Sequence, residues 1–459
     1  MKYYDCHCHI FTQKETINLR LLFEIILDFP KEHEKSLHLQ KSLAAKENIF
    51  ERIADKIQQL KRILNFLKTG FSDSEEDIFK IMESEYNNNF NIAPLMFDLE
   101  CVFMADRHTP HDFSSHKDAI VSKYEQVVSE FQNSNNSFIK EAEAVLSEVK
   151  LIKSLKHNRR GLDELKALSQ ELNTHFSSIK EDKITDQKML LSIKSNFDIQ
   201  LNDISALQKK YPETVYPFIA IDPRREGIID KFINEIYDEN IFCGVKLYTP
   251  NGYSPSDIDL MKPDGLYAFC VEHDIPITAH NSYMGFATPL SSVVIKGYIY
   301  DNGLQLKDGP VHLKKAFSNG WVQDRATKFN HPEIWEKVLE TYPTLKLNLA
   351  HFGNGSAEWQ EKIFSMLNNP DYPNFHTDLS CWCYVKGHKS EIGLQLFYDK
   401  YYKNASDYIK SKILYGSDFY LDLMKIDSLS DYLKNFNNIF PVTEFTRIAY
   451  TNAKNFLFG

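Results

Sequence analysis

The chain has 459 residues, 43% of them hydrophobic, and a formal net charge of −10. The apolar share is enough for a large core, and the acidic balance argues against nucleic acid or an anionic membrane surface as the main partner. Seven cysteines in so long a chain exclude a disulfide scaffold, and no apolar run reaches the ~18 residues of a membrane span.

The first five residues, Met-Lys-Tyr-Tyr-Asp, run straight into a motif with no apolar leader, so a reducing cytoplasm is the expected location. Residues 2–9 read as a strand holding "YDCHCHIF" (4–11). Residues 14–90 carry helical periodicity, including "ENIFERIADKIQQLKRILNFLKTG", where Gly70 is placed as a C-cap. A second strand is predicted over 92–103. Residues 104–210 read as long Lys- and Glu-rich amphipathic helices with hardly any Pro or Gly, a helical subdomain inserted between the second and third strands.

Further apolar runs follow at 215–221, 242–248, 275–280, 345–351, 374–379 and 412–417, separated by helical patterns such as 226–239, 264–273, 332–341 and 356–368. Repeated strand–helix alternation predicts a parallel sheet, and eight such runs predict a (β/α)₈ TIM barrel of the α/β class. The expected organisation is 1–103 for the first barrel strands with the helical insertion 14–90, 104–210 for the inserted helical subdomain, and 211–459 for the rest of the barrel.

Strand alternation sets Asp5, His7 and His9 on one face and Cys6 and Cys8 on the other. Two imidazoles one residue apart at a strand's carboxyl end can hold one divalent metal, but such a pair alone is a weak signal. Four other apolar runs also end on chemistry: "IPITAH" on His280, "LKLNLAH" on His351, "ILYGSD" on Asp418, and "IFCGVKLY" near Lys246. Any one could be a hydrogen-bonded strand end. The set is harder to read that way, because barrel active sites gather at these ends.

Other residues divide between two readings. Arg224, in "IDPRR", could fork onto a substrate carboxylate or make a structural ion pair. Asp378, in "FHTDLSCW", could orient a neighbouring ligand or cap a strand end. Cys381 and Cys383 are too closely spaced for a thiolate zinc site and read as buried packing. "GNGS" (353–356) reads as a tight turn, and no Walker-type or dinucleotide loop is present.

The ordered motifs "DCHCH", "FIAIDPRR", "GVKLYTPNGYSP", "IPITAHNS", "LNLAHFGN" and "ILYGSDFY", with the closing "YTNAKNFLFG", resemble the amidohydrolase superfamily. Within it they resemble the branch of amidohydrolase-related hydrolases and aminocarboxymuconate-semialdehyde decarboxylases. The resemblance covers 1–13 and roughly 215–459; the helical stretches depart from it. It implies that His7, His9 and His280 are metal ligands. It implies that Asp418 binds the metal or its water and carries the proton. His351 would be a second-metal ligand or a polarising acid/base. Lys246 falls where some relatives carry a bridging carbamylated lysine.

The expected protein is therefore a metal-dependent hydrolase that uses a metal-bound water on an amide, ester, lactone or cyclic bond. A metal-dependent non-oxidative decarboxylase is the alternative, and a non-catalytic barrel acting through its helical arm a third. Three imidazoles and a carboxylate suit one zinc ion, with manganese, iron or nickel as other candidates. The expected partners are a small-molecule substrate and another copy of the chain through the helical insertion, with no nucleic acid or membrane.

Overall fold

The structure, a computed structural model, describes residues 2–12, 49–98, 100–107, 114–148, 152–183, 193–316, 318–382 and 391–459. The helical reading over 14–48 and Cys383 lie outside the described residues. The chain divides into two compact units: Met1–Thr16, Ser72–Asp112 and Lys194–Gly459 in one, Ile17–Phe71 and Phe113–Ile193 in the other.

The first unit holds β1 (Tyr3–Cys8), β2 (Phe90–Pro94), β3 (Phe218–Ala220), β4 (Gly244–Leu247), β5 (Ile277–Ala279), β6 (Ser292–Tyr300), β7 (Leu304–His312), β8 (Leu347–Leu349), β9 (Phe375–Asp378) and β10 (Ile413–Leu414). A parallel sheet runs in the order β10-β9-β8-β5-β4-β3, and β1 pairs with β2 in parallel. Parallel bridges Ile92↔Val215 and Leu95↔Phe218 join β2 to the start of β3. On the other side, Cys6 N donates to Tyr415 O (3.0 Å) and Asp418 N to His7 O (2.7 Å). These backbone bonds close the eight parallel strands into a ring, the (β/α)₈ barrel that strand–helix alternation predicted.

Period-two patterning places the site. Register sets Lys246, Thr278 and Asn348 side by side on β4, β5 and β8. Asn348 Nδ2 continues the row by donating to Asp378 Oδ2 (2.8 Å). The alternate residues Val245, Leu247, Ile277, Ala279, Leu347 and Leu349 are buried apolar side chains. Below the site, Tyr4, Cys6, Phe218 and Leu414 pack with Ala453, Phe456 and Leu457 of the C-terminal helix Asn452–Phe458. Burying each large apolar side chain contributes about 1.5–3 kcal/mol.

Two local readings change and a third holds. The second strand stops at Pro94, which has no N–H for a further ladder bond, and Glu100–Phe103 form a 3₁₀ turn. An antiparallel hairpin, β6–β7, stands between β5 and β8 outside the parallel ring. Its signal was the alternating "SVVIKGYIY" before Asp301-Asn302-Gly303, where Asn302 and Gly303 take positive φ. "GNGS" is the expected turn: Ser356 caps helix Ala357–Asn368 by accepting from Trp359 N.

The second unit contains helices Ile49–Gly70, Ser114–Glu148 and Ile152–Lys183. Ion pairs Arg52–Glu141 (2.7 Å), Lys61–Glu164 (2.7 Å) and Lys68–Glu171 (2.8 Å) lace their exposed faces. Such surface pairs contribute little, so the buried Ile53, Leu60, Phe131, Leu165, Leu172 and Phe176 carry the packing. Helix Ile49–Gly70 thus groups with 113–193. Helix Ile193–Lys210 groups with the barrel, where Gln200 Oε1 accepts from Phe97 N (2.9 Å). Among the described residues, no helix is long and apolar enough to cross a membrane.

Candidate metal centre

Three donor atoms converge where β1 meets the chain after β10. His9 Nδ1 donates to the Leu95 carbonyl (2.9 Å), which turns the lone pair of Nε2 toward Asp418 Oδ1, 3.2 Å away. His7 Nδ1 donates to Asp378 Oδ2 (3.0 Å). That leaves His7 Nε2 buried, without a hydrogen-bond partner and 3.4 Å from the same Asp418 oxygen. The ligand atoms of His7, His9 and Asp418 all lie within 4.8 Å of one another.

Two imidazole lone pairs facing one carboxylate oxygen repel unless something positive stands between them. Burial works against charge on His7, but the Asp378 carboxylate, with Asp418, outweighs it and raises that imidazole's pKa. Burial lowers the pKa of His9. A divalent cation suits this arrangement: neutral imidazoles whose other nitrogen is fixed by an oxygen, and an ionised carboxylate. Asp418 is buried, which raises a carboxyl's pKa, yet the neighbouring His7, His9 and His351 rings hold it well below its usual value.

Asp378 ends β9 and organises its neighbours. It accepts from His7 Nδ1, Asn348 Nδ2, the backbone N–H groups of His351 and Ser380 (3.0 Å each), and the Ser380 hydroxyl. Burial alone would raise its pKa; His7 and these donors lower it far below the carboxylate range.

His280 and His351 pair with each other. His280 Nε2 donates to Met284 O (3.0 Å), so its Nδ1 accepts from His351 Nε2 (3.0 Å). His351 Nδ1 meets the Ser380 hydroxyl at 2.8 Å. Burial keeps both rings neutral, with His351 pushed down to about 3 and His280 well below its usual value. The His280 ring stacks on Tyr248 at 4.4 Å. His280, expected as a ligand, is hydrogen-bonded to His351 and is not in the close group formed by His7, His9 and Asp418.

Lys246 on β4 is 2% exposed and has no hydrogen-bond partner among the described residues. Burial pushes its pKa down to about 8, against the pull of Asp378 and Asp418. Arg224 takes the structural reading. Its five N–H groups go to Asp222 Oδ1 and Oδ2 and to the carbonyls of Met104, Gly252 and Asn251, leaving none for a substrate.

Asp5 leaves the histidines' face. The register of β1 shifts between Asp5 and Cys8. The Asp5 carboxylate accepts from Tyr86 OH (2.8 Å), Ser417 Oγ (2.6 Å) and Ser417 N (3.0 Å), tying β1 to the segment after β10. Burial raises its pKa to about 6. Cys381 is also not simple packing: its Sγ lies 2.6 Å from Asp418 Oδ2. The available sign was its place, three residues past the strand-ending Asp378.

Backbone strain gathers here too. His351, Phe352, Cys381 and Asp418 all take positive φ, at 66°, 46°, 61° and 62°. Close packing demands Gly416, where a Cβ would lie 2.6 Å from His7 Cβ.

A parallel barrel with a buried His/Asp donor set at its strand ends defines an α/β protein whose donor groups could hold a metal ion. Residues 200–459 match the family model described as amidohydrolase, and the chain belongs to that family of metal-dependent enzymes. Among solved structures it is similar to an uncharacterized TIM-barrel protein from Bordetella bronchiseptica (21% identity, 56% of this chain, 71% of that chain, TM-score 0.35). It is also similar to 5-carboxyvanillate decarboxylase from Novosphingobium aromaticivorans, complexed with manganese (12%, 58%, 71%, TM-score 0.37). A third is 2,6-dihydroxybenzoate decarboxylase from Rhizobium (18%, 57%, 78%, TM-score 0.36). No curated protein matches.

Proposed function

We propose that this protein is a metal-dependent hydrolase of an amide, ester, lactone or cyclic C–N/C–O bond. The observation that carries the reading is the convergence of His7 Nε2, His9 Nε2 and Asp418 Oδ1 on one point, with both imidazoles turned there by fixed Nδ1–H bonds. His7, His9 and Asp418 would hold the cation. Their nitrogen and oxygen donors suit zinc, with manganese, iron or nickel as alternatives. When bound, the cation supplies Lewis acidity that activates water near neutral pH and polarises a carbonyl.

Asp418 then has two tasks. One oxygen faces the histidines, and the carboxylate is ionised and ready to take the proton of the attacking water. It returns that proton to the leaving group, so the residue ends the cycle as it began. Asp378 keeps His7 in the tautomer this needs, and His351 holds the His280 ring by a hydrogen bond to its Nδ1.

One observation favours a second reading. Lys246 is a buried cation without a hydrogen-bond partner among the described residues, a group suited to a substrate carboxylate. A carboxylated substrate is what a non-oxidative decarboxylase requires.

The test begins with elemental analysis of protein purified without chelators, where far less than one equivalent of metal sinks both readings. Candidate substrates are then turned over in ¹⁸O-water. Incorporation of label into product supports hydrolysis; CO₂ release without label supports the alternative. Asp418→Asn is expected to cut turnover at least ~100-fold in either case.

A further inference from the structure

We propose that Phe97 selects the apolar part of the substrate, and that Gln200, on the helix leading into β3, is the positioning residue that holds Phe97 in place. This rests on the metal reading above and deepens it: the substrate carries a flat apolar group beside the bond that reacts.

Phe97 stands next to the donor group. Its ring meets His9 edge-on at 5.9 Å and Tyr248 at 4.7 Å, with Phe286 at 5.5 Å and Phe11 at 6.0 Å. Tyr248 in turn stacks on His280, and its hydroxyl accepts from Phe286 N (2.7 Å). Phe11, Phe97, Tyr248 and Phe286 thus make one aromatic wall, which runs from His9 to the segment after β5. The edges and faces of such rings favour a flat apolar group over a small aliphatic one.

The wall is placed by its backbone. Residues 95–98 follow β2, and each is tied separately. Leu95 N donates to Cys8 O (2.9 Å) and Met96 N to Phe218 O (3.0 Å). These bonds fix the half that serves the metal ligand, since His9 Nδ1 donates to the Leu95 carbonyl. The half that carries Phe97 hangs on other groups. Phe97 N donates to Gln200 Oε1 (2.9 Å). The Asp98 carboxylate accepts two bonds from Arg225 (2.8 Å each), whose guanidinium lies 4.3 Å over the Phe197 ring. Phe197 and Gln200 stand three residues apart on helix Ile193–Lys210, and so on one face of it. Gln200 is 1% exposed, and its Nε2 is buried without a hydrogen-bond partner. A buried donor left unpaired costs stability. A side chain present for packing alone would carry no such group, so the bond to Phe97 N is what the amide is for.

The test uses benzohydroxamate and acetohydroxamate, metal-binding probes that differ only in their apolar group. Each is titrated into the cobalt(II)-loaded full-length protein and followed by the visible cobalt absorbance. After correction for affinity toward free cobalt(II), wild type should bind the phenyl probe at least ~10-fold more tightly. Phe97→Ala should bring that ratio to within about 2-fold of one. Gln200→Met keeps the bulk and loses the acceptor, and should lower the ratio at least ~3-fold. Both variants should keep the cobalt stoichiometry and acetohydroxamate affinity of wild type, which a general loosening of the fold would not. A ratio near one in wild type, or an unchanged ratio in either variant, overturns the proposal. Equal loss of both probes in the variants assigns these residues to the fold and also overturns it. No cobalt uptake by wild type overturns the metal reading, and this inference with it.

Discussion

His7 shows how one side chain is prepared from several directions. Asp378 fixes its Nδ1–H, Gly416 gives its Cβ room, and Asp418 stands across from its free nitrogen. Removing the first of these supports should be felt at the metal and not in the fold. Asp378→Asn is expected to weaken metal affinity by about 10–100-fold with an unchanged circular dichroism spectrum, as measured by competition with a chelating dye. Unchanged affinity would show that Asp378 does not orient His7. Gly416→Ala acts through packing instead. Its new methyl group meets His7 Cβ, so urea denaturation should show a loss of roughly 1–3 kcal/mol.

At the scale of an element, helix Pro332–Thr341 begins on a histidine where Ser, Thr, Asp or Asn is usual. His331 Nδ1 accepts from Glu333 N at 3.3 Å, which needs the neutral ring, and the ring stacks on Tyr300 at 3.6 Å. Burial, helped by Lys362, pushes its pKa down to about 4. The unfolded chain binds this proton near pH 6.5, well before the folded one does. Stability contributed here is therefore complete above pH 6.5 and is lost as the pH falls toward 4. The loss should reach roughly 3 kcal/mol by pH 4 relative to His331→Asn, which keeps a capping oxygen but does not titrate. Parallel acid-denaturation curves for the two proteins would contradict this account.

The whole molecule joins a barrel built around polar strand ends to a helical unit with its own core. That second core contains a charge: Lys56 is 6% exposed, and its Nζ lies 5.6 Å over the Phe131 ring. Burial lowers its pKa to about 8. Because the unfolded lysine holds its proton more tightly, stability should rise as pH climbs from 8 toward 10.5. Lys56→Met is expected to stabilise the protein by about 1–3 kcal/mol at pH 7 and to flatten that rise, as read by thermal melts across the range. A variant no more stable than wild type at pH 7 would mean that the Phe131 face offsets the cost of burying the charge.

Much of the fold was legible because a barrel strand is a short apolar run and a barrel site begins where the run stops. All eight runs correspond to parallel strands, and His7, His9, Lys246, His280, His351, Asp378 and Asp418 were visible as polar residues at or near their ends. The hairpin β6–β7 was less visible, since it belongs to no strand–helix repeat. What the sequence by itself determined is therefore the strand–helix order and the stock of donor groups, because both follow from local periodicity and residue chemistry. Only the tertiary structure decided which atoms meet. The shifted register in β1 turned Asp5 toward Tyr86, the carbonyls around Arg224 used up its donors, His280 was turned onto His351, and Cys381 was brought against Asp418. Each of these depends on groups far apart in sequence that meet only when the ring of strands closes.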